Sequence, residues 1–238
     1  MTRLLFLFVL CLLPAAASTR GSDQVLVGIA SGWNSSYANL TLYNRVRDGW
    51  QQSMGPIRAR LGKNGLAWGR GLHRNPSGSR LKKEGDRRSP AGVFRIGAAF
   101  GYAENIARHP QLPYRRITSR DLWVEDSTSP HYNKHLIIPH EPRSAFERDA
   151  QMKQGDHAHS LKLFVAHNAP PRAVPNAGSA IFFHIWRRGG KATTFGCTTM
   201  DERNLKALIA RVDPTKNPVY VLLPKAEYDA KRRAWDLP

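Results

Sequence analysis

The sequence has 238 residues, 41% of them hydrophobic, and this is enough to bury one sizeable core. Its formal net charge is +18, from 36 Lys and Arg against 18 Asp and Glu. Such a surface attracts polyanions: nucleic acids, anionic lipids or an anionic cell envelope. No RNP-type aromatic motif, zinc-finger spacing or basic leucine zipper accompanies the charge, so we expect no nucleic-acid partner.

The N-terminus has the pattern of a secretory signal peptide. Arg3 supplies a positive charge, Leu4 to Leu13 form an apolar run, and Ala15-Ala-Ala17 is a small-residue cleavage site. The run is too short to span a bilayer stably, which disfavours the alternative of a retained membrane anchor. We predict a signal peptide at residues 1–17, export to the periplasm or cell envelope, and no stable membrane span in the mature protein.

Beyond the signal peptide, short apolar runs alternate with turn-forming stretches. The runs are rich in Val, Ile, Phe and Tyr, and most are bounded by Gly, Pro, Asn or Ser, a pattern typical of β-strands. They lie at Gln24–Ala30, Tyr37–Tyr43, Pro56–Leu61, Gly92–Ile96, Leu161–His167, Ala180–Trp186 and Pro218–Leu223. The turn residues of Ser89-Pro-Ala-Gly92 are expected to shape a hairpin, with substrate contact as the alternative.

One helix is predicted, at Asp201–Val212, before Asp213-Pro214 ends it. Its apolar residues recur at helical spacing and form one stripe: Leu205, Leu208, Ile209 and Val212. We therefore predict a mainly β (α+β) fold. It forms a single domain over residues 18–238, with its core at about 24–224.

A basic stretch lies between Arg58 and Arg88, where ten Lys or Arg stand against two acids, Glu84 and Asp86. For an exported protein, the natural polyanion is an anionic envelope polymer, which such a stretch would bind through screened contacts. A solvated basic face without a partner is the alternative.

Cys197 is the only cysteine left once the signal peptide is removed. In an oxidising compartment a lone thiol is buried filler, half of an intermolecular bridge, or a nucleophile. His184 interrupts an apolar run thirteen residues upstream, and Gly189-Gly190 would let the chain return towards it. His184 would then be the base that activates the thiol.

The residues after the thiol have the form of a helix capping box, Thr199-Met-Asp-Glu202. Cys197 would then lie just before a helix N-terminus, where the helix dipole and a protonated His184 lower the pKa of a thiol. The backbone N–H groups of Gly196 and Cys197 are candidate donors to an oxyanion. These residues favour a Cys/His acyl-transfer site, with an inert buried cysteine as the alternative.

Two separated motifs resemble those of the L,D-transpeptidase catalytic-domain (YkuD-like) family. The first is His184 followed by Thr194-Phe-Gly-Cys197-Thr-Thr-Met, which is similar to a strand His and a Ser/Thr-x-Gly-Cys turn. The second is Lys83-Glu-Gly-Asp-Arg-Arg-Ser-Pro-Ala-Gly-Val-Phe94, with Ser89 where Thr is usual. The resemblance covers most of Gln24–Pro224.

The resemblance implies a β-sandwich domain and an enzyme without cofactors that acts on peptidoglycan stem peptides. Cys197 would form a thioester with the stem peptide, and His184 would carry the proton. An amine acceptor would complete an L,D-transpeptidase reaction. With water as acceptor, the same site would be an L,D-carboxypeptidase or endopeptidase. A non-catalytic basic envelope-binding protein is a further alternative.

The sequence departs from the family pattern at Phe195 and Thr199, where many members carry His and Arg. That pair would ordinarily help to bind a substrate carboxylate or to order the site. Arg187, Arg188 or Lys191 are candidates to supply the missing charge. Expected substrate contacts are Thr194, Phe195, Thr199, Trp186 and Arg187.

Histidines elsewhere raise the question of a metal site. His157-Ala-His159 lies beside Asp156, and His131 and His135 are four residues apart. A single HxH is a weak signal, and neither HExxH nor paired CxxC occurs. We predict solvated loop histidines and no metal.

Overall fold

The computed structural model describes residues 19–238, so the predicted signal peptide lies outside the described residues. The strands are β1 Gln24–Ala30, β2 Tyr37–Val46, β3 Gly49–Arg60, β4 Leu66–Trp68, β5 Ser89–Gly101, β6 Tyr114–Arg116, β7 Asp121–Trp123, β8 His135–Ile137, β9 Leu161–Val165, β10 Phe182–Ile185, β11 Thr198–Met200 and β12 Val219–Pro224. The α-helices are α1 Ala145–Asp149, α2 Glu202–Arg211 and α3 Lys225–Lys231. In this part of the chain, no helix is long and apolar enough to cross a membrane.

One sheet carries most of the strands, and it closes on itself. Its hydrogen-bonded order is β12-β1-β2-β3-β11-β10-β9-β5, and β12 also pairs with β5. Closure leaves no free edge along this ring of strands. The predicted mainly β class is confirmed. The predicted β-sandwich is not confirmed, because the sheet is barrel-like.

The long strand β5 makes the closure possible. Along its length it pairs with β4, then with β12, then with β9 and β6. Its first residues are Ser89, Pro90, Ala91 and Gly92, so the predicted hairpin turn is wrong. Pro90 lies at the start of the strand, where a missing N–H is tolerated. Gly92 has φ +133°, and the ring of His73 occupies the space that a Cβ would need.

The core follows from alternation along the strands. In β2, Ala38, Leu40 and Leu42 are buried, while the residues between them are less so. In β1 and β12 nearly every residue is buried, because both faces of these strands are covered. Helix α2 packs its stripe of Leu205, Leu208 and Ile209 against β10. The predicted strands and helix therefore exist, with ends that differ by a few residues.

A second, smaller apolar cluster lies beside the main core. Phe100, Trp123, Phe164 and Phe182 make edge and tilted ring contacts within it. Cys197 packs against this cluster. The candidate site therefore begins where aromatic packing excludes water.

Two histidines of the fold are held neutral by burial. His167 accepts a hydrogen bond at Nδ1 from the Arg70 N–H (3.1 Å) and donates from Nε2 to the Ala177 carbonyl (3.0 Å). Desolvation lowers the pKa of His167 to about 3. It also lowers the pKa of His73 to about 4, and His73 Nδ1 likewise accepts a hydrogen bond, from the Val93 N–H. A charged ring cannot accept at Nδ1, so protonation breaks these contacts.

We expect the free energy of unfolding to fall as the pH drops below about 6.5, the ordinary histidine pKa, towards about 4. In this window the unfolded chain binds protons that the folded chain excludes, which favours unfolding. Each buried histidine contributes up to about 1.4 kcal/mol per pH unit. Urea unfolding at pH 7, 6 and 5 measures the slope. His167→Gln should reduce it, whereas the exposed control His131→Gln should not. Equal slopes in the two variants would contradict the assignment.

Candidate active site

The register of three neighbouring strands brings the candidate residues onto one face of the sheet. His184 of β10 lies opposite Thr199 of β11 and opposite Lys162 of β9. Because opposed residues project to the same face, these three side chains form a row across the sheet. Cys197 comes two residues before Thr199 and therefore belongs to the same face. All four line one pocket of about 400 Å³.

The thiol is half-buried in this pocket. Its Sγ lies 3.5 Å from the Ala180 carbonyl oxygen, to which it donates. Burial raises the pKa of Cys197 to about 11. A hydrogen bond from the Phe182 backbone and the positive charge of Lys162 oppose the rise without cancelling it. The predicted lowering of the thiol pKa is therefore wrong, because desolvation outweighs the nearby charges.

The helix that was expected to lower the pKa of the thiol is present within a residue of its predicted bounds, but its cap is not the predicted one. The N-cap of α2 is Asp201, whose side chain accepts from the Arg203 N–H (2.9 Å). Thr199 belongs to strand β11, so the predicted capping box is wrong. The unpaired N–H groups of a helix favour negative charge only within its first turn. Cys197 lies ahead of a strand instead.

His184 is buried and neutral. Its Nδ1 lies 2.9 Å from the Ile185 carbonyl oxygen, and since a carbonyl only accepts, Nδ1 carries the proton. Nε2 is then an unprotonated acceptor, the form that a general base needs. Desolvation, aided by the charge of His159, lowers the pKa of His184 to about 3. The resting site thus pairs a neutral thiol with a neutral imidazole.

A second histidine supports the first. The His159 ring stacks on His184, with centroids 4.5 Å apart and planes inclined by 29°. Its Nδ1 lies 2.7 Å from Oδ1 of Asp156, and Asp156 also accepts from Arg187. The solvated-loop prediction is therefore wrong for His159. It is also wrong for His135, which lies 2.8 Å from Asp121 and stacks on Trp123.

The turn before the thiol is closed by its own threonine. Thr194 Oγ1 donates to the Cys197 carbonyl (2.7 Å) and accepts from the Gly196 N–H (3.1 Å). The Gly196 N–H, one of the two predicted oxyanion donors, is thus already engaged. At Gly196, φ is +150° and a Cβ would approach the Arg88 carbonyl oxygen to 3.0 Å, so glycine suits this position.

The upstream motif contacts the thiol turn directly. Ser89 Oγ accepts from the Gly62 N–H (2.9 Å) and lies 3.5 Å from the Cys197 carbonyl oxygen. Lys82, which lines the pocket, forms a buried ion pair of 2.6 Å with Asp86. The two motifs, about a hundred residues apart in sequence, therefore build one site.

The remaining predicted contacts divide into two groups. Thr194, Phe195, Thr199 and Arg187 line the pocket with Cys197 and His184. Phe195 is 72% exposed, and the guanidinium carbon of Arg87 lies over its ring, 5.0 Å from the ring centroid. Trp186 is not among the residues that line the pocket, and its ring packs on Gly190. Lys162 was not among the predicted site residues, since a single Lys in a strand is ordinary.

None of the described residues, 19–238, forms a group of three or more His, Cys, Asp or Glu placed to hold a metal. Around the thiol, the pocket is lined by imidazole, ammonium and hydroxyl groups and by the carboxylates of Glu84 and Glu125. A half-buried thiol and an unprotonated imidazole that line one pocket are the side chains that cysteine acyl transfer uses. Comparison with known families agrees with this class.

The sequence model of the family described as YkuD, the L,D-transpeptidase catalytic domain, matches residues 34–221. The chain belongs to this family. No curated protein matches it.

Among solved structures, the chain is similar to the helical cell shape determining protein Pgp2 from Campylobacter jejuni. The identity is 14% and the TM-score 0.40, over 85% of this chain and 49% of that one. The chain thus spans about half the length of that protein.

We expect alkylation of Cys197 by iodoacetamide to be slow at pH 7 and to rise about tenfold per pH unit, without a plateau below pH 9, because the pKa is raised to about 11. Mass spectrometry of the peptide that contains Cys197 follows the reaction. The same chain in urea is the control, and its thiol should level off near the free value of about 8.5. A plateau near pH 7 in the folded chain would contradict the raised pKa.

Proposed function

We propose that the protein is an exported peptidoglycan L,D-transpeptidase with Cys197 as nucleophile and His184 as acid and base. The observation that carries the proposal is that Cys197, the one cysteine among residues 19–238, and His184 line the same pocket. Membership of the family supports the reaction type. The apolar run and small-residue site at the N-terminus support export to the periplasm or envelope.

In the first half of the reaction, His184 Nε2 takes the thiol proton as Sγ attacks the stem-peptide carbonyl that precedes D-alanine. A raised thiol pKa means that the proton leaves during the attack rather than before it. The Cys197 N–H stabilises the oxyanion, and the Gly196 N–H contributes if it leaves Thr194. His184 then protonates the departing amine, so that D-alanine leaves and a thioester remains.

In the second half, an amine of another stem peptide or of an envelope protein attacks the thioester. His184 takes a proton from that amine and returns it to sulfur, which restores the thiol and leaves a new amide bond. The neutral His184 suits both steps, since it accepts a proton first and donates it later. Water in place of the amine gives carboxypeptidase or endopeptidase action at the same site.

Incubation of the protein with a disaccharide-tetrapeptide, followed by mass spectrometry, tests this function. We expect cross-linked dimers and released D-alanine. Tripeptide alone would identify a hydrolase, and unchanged substrate would identify a binding protein.

Cys197→Ala should abolish product formation and keep the thermal midpoint within about 4 °C, because only the sulfur is removed. His184→Ala should abolish it as well, through loss of the base. Trp186→Phe, beside the site but outside the pocket, is the control and should remain active. Full activity of the Cys197 variant would refute the nucleophile.

We further propose that exposed members of the basic stretch bind an anionic envelope polymer. Not all ten residues are available: Lys82 is buried in its ion pair, and Arg88 Nη1 donates to the Leu66 carbonyl (3.1 Å). Arg74, Arg80 and Lys83 are exposed. Their contacts with a polyanion would be screened by salt.

The triple change of Arg74, Arg80 and Lys83 to Glu should weaken binding to isolated sacculi and flatten its salt dependence. Turnover of a small muropeptide should stay the same, because a single pocket needs no long-range field. Sedimentation of the protein with sacculi at several salt concentrations measures the binding. The matched control reverses three other exposed charges, Arg116, Arg143 and Lys153. Equal weakening by both triple changes would leave net charge, not this stretch, as the cause.

A further inference from the structure

Lys162 is a buried cation that the proposed mechanism does not use. Only 4% of its surface is exposed, although the residue lies on β9 at the pocket wall. Its Nζ donates to the Met152 carbonyl at 2.8 Å, which leaves further N–H groups of the ammonium to donate. Among the described residues, no carboxylate lies within ion-pair distance of it: Glu125 of the same pocket acts on it only from farther away, and Asp156 is taken by Arg187 and His159. Buried charges are rarely left without a counter-charge.

Thr199 is a second polar residue of the same pocket with hydrogen-bonding capacity to spare. Its side chain is buried, and Oγ1 has no hydrogen-bond partner in the described structure. A buried hydroxyl without a partner costs about 1–3 kcal/mol. Such a group can be satisfied by a bound water, an ion or a ligand.

These two groups stand on either side of His184. Lys162 and Thr199 are its direct neighbours on β9 and β11, about 4.8 Å away on each side by strand spacing. A substrate group that touches His184 therefore lies within reach of both an ammonium and a hydroxyl. Together they are donors suited to an anion with two oxygens.

We propose that Lys162 and Thr199 form a subsite for the α-carboxylate of the D-alanine that departs. The inference rests on the proposed function, in which His184 protonates the amine of that residue. The carboxylate is two bonds from the amine nitrogen, so it lies beside the groups that flank His184. The Lys162 ammonium supplies the counter-charge, and the Thr199 hydroxyl donates the second hydrogen bond.

The other cations near the site are less suited to this role. Arg187 is engaged with Asp156, while Arg188 and Lys191 are exposed and lie outside the pocket lining. Burial lowers the pKa of Lys162 to about 8, and interactions with Cys197, Asp156 and Glu125, in that order, work against the fall. Lys162 therefore still carries its charge at neutral pH.

Binding measured by calorimetry tests the subsite apart from catalysis, in the Cys197→Ala background. The probes are a stem tetrapeptide that ends in D-alanine and the same peptide with a C-terminal carboxamide. We expect the carboxamide to bind about 10- to 100-fold more weakly, the range of a charge-assisted hydrogen bond. Lys162→Met should lose a similar factor for the carboxylate and little for the carboxamide. Lys191→Met, the matched control, should change neither.

An equal loss for both peptides in the Lys162 variant would overturn the proposal, since Lys162 would then only shape the pocket. No loss for either would overturn it as well. Thr199→Val, which keeps the side-chain shape, should weaken the carboxylate peptide selectively. If Lys162→Met does not fold, Thr199→Val and the comparison of the two peptides test the subsite. Equal affinity of the Cys197→Ala protein for both peptides would then refute it. A carboxylate preference with no turnover by the unaltered chain would instead refute the proposed function and keep the subsite.

Discussion

The parallel pairing of β10 with β11 is the constraint on which the site depends. It sets His184 opposite Thr199, and the antiparallel pairing with β9 adds Lys162 to the same row. A slip of one residue would turn His184 into the core and bring Phe183 to the pocket. Phe183 prevents this slip, because its ring is buried against Tyr220 with centroids 4.7 Å apart. Core packing thus fixes the chemistry on the other face.

Desolvation acts on three titratable groups of this site. Burial raises the pKa of Cys197, which packs against the aromatic cluster, and it lowers the pKa values of His184 and Lys162. All three shifts disfavour charge, as burial does in general. In the proposed subsite, a substrate carboxylate would bring a charge that Lys162 can pair with, which would offset the burial of its ammonium group.

Much of this could be predicted from the sequence, because strands and motifs are local. The seven apolar runs and the helix at Asp201–Val212 were recognisable from alternation and spacing. Short strands such as β4 and β7 were not, since three residues carry no period. Closure of the sheet was missed because the β12–β5 pairing joins segments far apart in sequence. The helix cap was misassigned because Thr199 and Asp201 are both good caps, and strand pairing decides between them.

Lys162 could not be predicted for a similar reason. In the sequence it is one Lys in the strand Leu161–Val165. Alternation assigns it to one face of the strand but does not predict which residues of other strands lie on that face. Its meaning comes from three non-local facts: its register with His184, the Met152 carbonyl that accepts from it, and the absence, among residues 19–238, of an acid within ion-pair distance. Arg187, the candidate nearest to His184 in sequence, is instead neutralised by Asp156. In a buried site the useful cation is therefore the one without a counter-charge, and only the assembled fold reveals which one that is.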